Sequence, residues 1–211
     1  MTRARFTRLG GFVALLGGTL WVVSFGIVQA VAPHLSGVLV GPVVFLMVGL
    51  FALRVRRATG GGALGAIGFA VTLVGLVMLA YGSIGRLAVT GDILGIAYGP
   101  IGFTGLAPGA LVAGAGAALT AISVIRANVM PRLSPIPLLV GAAGVAAAGG
   151  SALARQLLDG STSDIFPLPV GPIATLWALF GLGWLWLGYL LWSEGTKTRP
   201  GSEATSIRPV R

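Results

Sequence analysis

Six apolar stretches run along the chain, each about long enough for a helix to cross a bilayer. They occupy residues 9–31, 36–53, 63–84, 104–125, 136–154 and 168–192. A helix rises about 1.5 Å per residue, so roughly 20 apolar residues cross the hydrocarbon layer. The fourth apolar region starts earlier, at residue 93, and is too long for one untilted crossing. It contains Gly99-Pro100 and Ala107-Pro108-Gly109, so its first part reads as an outer loop or half-helix. The pattern predicts an all-α, polytopic membrane helix bundle with six transmembrane helices spanning 1–194. Residues 195–211 lack apolar periodicity and are rich in Pro, Gly, Ser and Thr, which reads as a disordered basic cytoplasmic tail.

The first run has a competing reading. Arg3, Arg5 and Arg8 ahead of apolar residues, with Ala30-Val31-Ala32 behind, resemble a signal peptide and its cleavage site. The run is longer than an ordinary signal core and Pro33 follows the site, so a retained first span is expected.

Polar residues between the runs set the orientation. Arg3, Arg5, Arg8, Arg54, Arg56, Arg57, Arg126, Arg132, Lys197, Arg199, Arg208 and Arg211 fall on alternate connections, 12 of the 14 basic residues. The retained side is the cytoplasm, which places both termini inside a plasma membrane. That side carries a net charge of +10, and the other, with Arg86, Arg155, Asp92, Asp159 and Asp164, carries −1.

Composition supports lipid as the solvent. Apolar residues make up 55% of the chain and charged residues 9%, with mean hydropathy +0.96. A soluble domain carries about 25% charged residues. The net charge of +9 is accounted for by the flanks of the spans, so no nucleic-acid partner is expected. The absence of cysteine excludes thiolate ligands and Cys nucleophiles, and His34 alone builds no metal centre. No phosphate-binding loop or Gly-x-Ser-x-Gly turn occurs. No cofactor is expected.

Glycine shapes the expected packing. The 35 glycines include the small-xxx-small pairs Gly37/Gly41, Gly61/Gly65 and Gly105/Gly109, which let helices approach in lipid. The fifth run, nearly all Gly and Ala from 141 to 152, reads as a thin helix at the bundle centre. In the sixth, Trp177, Phe180, Trp184, Trp186, Tyr189 and Trp192 read as lipid-facing anchors. A tandem reading as three helical hairpins rests on glycine-rich starts at Gly11, Gly65 and Gly141. It also rests on Gly41-Pro42, Gly99-Pro100 and Gly171-Pro172 near the outer starts of the even runs. These Gly-Pro pairs are candidate helix breaks that expose backbone to a solute, or simple helix starts, the reading favoured here.

Candidate chemistry is confined to the outer rim. His34, Tyr81, Arg86, Asp92, Tyr98, Arg155, Gln156, Asp159 and Asp164 all fall there, while the middle of every run lacks ionisable residues. Proton pumps and ion-coupled carriers place such residues within the membrane, so their absence argues against those functions. The rim groups read as ion pairs fixing loops, with Arg155 partly buried and Asp159 one helical turn on as its partner. The alternative is a shallow pocket for an anionic or quinone-like headgroup. Three functions stay open. The first is an accessory or scaffolding subunit whose partners are the bilayer and another membrane protein. The second is a small permease or channel for a neutral or amphiphilic solute. The third is a membrane enzyme, for which only the rim residues could supply acid, base or nucleophile.

Overall fold

The computed structural model describes residues 3–30, 40–57, 62–91, 105–127, 135–159 and 172–197. All of them are α-helical except Gly62, Gly105 and Pro135, each directly before a helix. The six helices are α1 (Arg3–Ala30), α2 (Val40–Arg57), α3 (Ala63–Gly91), α4 (Leu106–Ala127), α5 (Ile136–Asp159) and α6 (Pro172–Lys197). Every apolar run therefore holds one helix, because in lipid each backbone N–H and C=O must be satisfied within its own segment. Pro42, Pro108, Pro137 and Pro172 lie in first turns, where no intrahelical N–H is required.

Five helices are long and apolar enough to cross a membrane, over Arg5–Ser24, Ala63–Gly85, Leu106–Ala127, Ile136–Leu158 and Thr175–Ser193. Helix α2 is the exception. It has 18 residues, and Arg54, Arg56 and Arg57 close it. Residues 40–53 ahead of these arginines span about 21 Å, short of a hydrocarbon layer of about 30 Å.

The helices form a ring. Each packs on its sequence neighbours, and α6 closes back onto α1. The α3/α4 and α1/α6 seams are the most extensive and α2/α3 the least; across the ring, α2 and α6 touch slightly. Glycines explain this ranking. On α1, Gly10 and Gly17 face α2, meeting Ala52 and Phe45, whereas Gly11 and Gly18 face α6, meeting Leu191 and Leu185. Successive residues on a helix are rotated by about 100°, so these adjacent glycine pairs hold two neighbours at a sharp corner. That corner brings α2 and α6 together.

The glycines of a seam recur every seven residues. Gly68, Gly75 and Gly82 of α3 face Thr120, Ala113 and Leu106 of α4, Gly109 and Gly116 of α4 face Leu79 and Thr72 of α3, and Gly181 and Gly188 of α6 face α1. Seven residues are close to two helical turns, so such a row stays on one face of antiparallel, gently coiled neighbours. A Cβ on Gly68 would lie 2.8 Å from the Thr120 backbone nitrogen, and one on Gly109 would lie 2.7 Å from that of Leu79. The α2/α3 seam has no comparable glycine contact among the described residues. It is made instead by Phe51 edge-on to Phe69 at 5.2 Å and by the Arg54 guanidinium 5.9 Å above the Phe69 ring.

One continuous core cluster draws on all six helices, including Trp21, Leu46, Leu50, Leu76, Ala113, Leu138, Trp177, Phe180 and Trp184. The expectation for the aromatics of α6 is therefore half corrected. Trp177, Phe180 and Trp184 are fully buried, while Trp186, Tyr189 and Trp192 are exposed. The buried set is spaced by three and four residues and the exposed set by three and three, which puts them on opposite helix faces, a division that hydropathy alone does not reveal because both faces are apolar. Inside, the Trp21 and Trp177 rings stack at 5.6 Å, and the Trp21 indole N–H donates to the Trp177 carbonyl at 3.1 Å.

Helix α5 is not central. It touches only α4 and α6 among the described helices, and Ile136, Val140, Ala143 and Ala147 form an exposed face. Its small residues serve the two seams: Gly141 meets Phe180, Gly144 meets Leu176, and Gly149 meets Leu111. The glycine motifs behind the tandem reading take different partners. Gly11 faces α6, in another hairpin, whereas Gly141 faces α6 in its own.

Candidate functional site

Among the described residues, the buried polar groups are hydroxyls and indoles, with one guanidinium nitrogen of Arg56 near the end of α2. The fully buried polar side chains among the described residues are Ser24, Thr72, Ser83 and Thr120. A hydroxyl in hydrocarbon is most easily satisfied by the carbonyl one turn back. Thr72 Oγ1 donates to Gly68 O at 2.6 Å in this way, and Thr19 Oγ1 donates to Leu15 O at 3.0 Å.

Thr72 and Thr120 also meet across α3/α4, their hydroxyl oxygens 3.5 Å apart. Each threonine lies four residues after a glycine, in Gly68-x-x-x-Thr72 and Gly116-x-x-x-Thr120. Thr72 packs at Gly116 and Thr120 at Gly68, so the two motifs interlock reciprocally. The four-residue spacing of small residues carries this signal at Gly68/Thr72 and Gly116/Thr120, two pairs that stand outside the three small-xxx-small glycine pairs named from the sequence. Gly105 and Gly109 do pack against Met78, Leu79 and Gly82, as small-xxx-small spacing predicts. Gly41 has nothing within 4 Å of an added Cβ, and Gly65 is buried. Gly37 and Gly61 lie outside the described residues.

Among the described residues, Ser83 Oγ of α3 and Trp184 Nε1 in the middle of α6 are buried without a hydrogen-bond partner. Neither ionises near neutral pH, so neither serves as an acid or base there. No group of three or more His, Cys, Asp or Glu side chains able to hold a metal occurs among the described residues.

The rim residues are placed as follows. Tyr81 is exposed on α3, and Arg155 is exposed on α5 rather than partly buried. These helices do not touch among the described residues, so the two side chains are not brought together. Helix α3 continues to Gly91, which puts Arg86 within it, and α5 continues to Asp159, which preserves the one-turn spacing from Arg155. His34, Asp92, Tyr98 and Asp164 lie outside the described residues, as do Gly99, Pro100 and Gly171. Gly41 and Pro42 lie in the first turn of α2, and Pro172 opens α6. Comparison of the chain with protein-family models, curated proteins and solved structures gives no match.

Proposed function

We propose that this chain is an integral protein of the plasma membrane, crossing it six times with both termini cytoplasmic. In this reading it acts as a non-catalytic accessory or scaffolding subunit of a membrane complex. The packing of the interior carries the proposal. Trp21, Leu46, Leu50, Leu76, Trp177, Phe180 and Trp184, drawn from four helices, are each 2% exposed or less. A conduit for a polar solute needs a wetted polar wall, whereas the described residues bury a few hydroxyls, indole N–H groups and one guanidinium nitrogen of Arg56 at the end of α2. Rigidity enforced by glycine seams suits a body that presents its outer faces to other membrane helices.

The permease reading keeps one favourable observation. The α2/α3 seam is the least extensive and is held by aromatic rather than backbone contacts, which makes it the natural place for a bundle to part. Affinity purification of the intact chain in mild detergent, with mass spectrometry of what accompanies it, separates the two. A stoichiometric membrane partner is the outcome expected for a subunit. A monodisperse chain that purifies alone and moves solute into proteoliposomes supports the permease instead.

A further inference from the structure

The start of α1 and the end of α6 lie side by side, with Gly11 against the backbone of Trp192. A groove of about 340 Å³ opens there, lined by Arg5, Arg8, Leu9, Phe12 and Trp192. The four residues from α1 fall at i, i+3, i+4 and i+7, which is one stripe along one helix face. The stripe is ordered by polarity. Two exposed arginines come first, then Leu9 and Phe12, about half exposed, within about 10 Å of helix axis. The other wall is Trp192, which continues into a lipid-facing aromatic row. Tyr189 lies 6.5 Å from Trp192, and Trp186 lies 6.0 Å from Tyr189.

We propose that this groove holds one anionic phospholipid, with its phosphate between Arg5 and Arg8 and an acyl chain along Leu9, Phe12 and Trp192. Charge complementarity selects the occupant. Two exposed arginines, Arg5 and Arg8, stand at the groove, no acidic residue lines it among the described residues, and guanidinium binds phosphate oxygens through paired N–H donors. The apolar floor begins one turn deeper, where a lipid's own chains begin, and its aromatic wall belongs to the lipid-facing surface. A soluble phosphate compound would use the arginines and leave that floor uncovered. Juxtamembrane basic clusters attract anionic headgroups by the same electrostatics.

The inference rests on the membrane placement proposed above, but its test does not depend on sidedness. The full chain, purified in a non-ionic detergent, is offered equal amounts of phosphatidylglycerol and phosphatidylcholine, and retained lipid is counted by native mass spectrometry. One phosphatidylglycerol should be retained in preference, on the order of tenfold. Arg5→Gln with Arg8→Gln should abolish the preference, and Phe12→Ala should weaken retention. Arg126→Gln, at an exposed arginine on α4, should leave both unchanged. If the double glutamine variant melts early, Arg5→Lys with Arg8→Lys replaces it and should retain a preference for the anionic lipid. Equal retention of the two lipids overturns the proposal, as does an undiminished preference in the glutamine variant. Displacement of the lipid by millimolar glycerol phosphate also overturns it and assigns the groove to a soluble anion.

Discussion

Glycine inside a helix costs about 1 kcal/mol relative to alanine in water, yet it lines most of the seams of this bundle. Between apolar surfaces in lipid no water is released on association, so close approach of backbones must supply the attraction. Adding a side chain at such a glycine forces two helices apart. Gly116→Val, which would collide with the backbone of Thr72, should destabilise the protein by about 1–3 kcal/mol, whereas Gly41→Ala, facing open space, should change little. Denaturant titration in mixed micelles, followed by tryptophan fluorescence, measures both. The same assay tests the division of aromatics on α6. Trp184→Ala should cost about 3 kcal/mol or more, and the exposed Trp186→Ala less than about 1 kcal/mol. Equal costs would return all six aromatics to a single role. Residue identity alone could not make this division, because tryptophan serves equally well as interfacial anchor and as core filler.

At the scale of elements, hydropathy was sufficient for existence and insufficient for arrangement. Each of the six apolar runs became a helix because hydrocarbon leaves the backbone no alternative. Helices α3 and α5 extend past their apolar runs, to include Arg86 and Asp159. Neighbour choice was written in the seven-residue rows of glycine, beginning with the paired rows Gly10/Gly17 and Gly11/Gly18 on α1. Gly and Ala along α5 suggested a central helix, but small residues signal close seams and not centrality, and α5 has two seams and an open face. The α1/α6 seam that closes the ring yields a direct test, since the natural chain has no cysteine. Leu15→Cys with Leu191→Cys should cross-link under mild oxidation, because Gly188 meets Leu15 and Gly11 meets Leu191 along this seam, and neither substitution adds bulk at a seam glycine. A pair placed on α1 and α4, which do not touch, should stay reduced. Cross-linking of the second pair alone would contradict the ring.

For the whole molecule, charge distribution and packing address different questions. Arginines on alternate connections speak to orientation, and the buried Trp21–Trp177–Phe180–Trp184 cluster speaks to whether the interior conducts. The candidate rim site was only partly legible. His34, Asp92, Tyr98 and Asp164 fall between the helices described, and their sequence neighbours carry no pattern that sets distances. The groove at Arg5 and Trp192 was legible only as separate fragments, a basic start and an aromatic end, until the ring brought them together. Whether the chain crosses six times depends most on α2, whose apolar part is short. Single cysteines at Ser36, Thr59, Ser163 and Ser202 test it with a membrane-impermeant maleimide on intact cells. Ser36→Cys and Ser163→Cys should label from outside, while Thr59→Cys and Ser202→Cys should label only after permeabilisation. Labelling of Ser36→Cys and Thr59→Cys from the same side would show that α2 does not cross and would contradict the account.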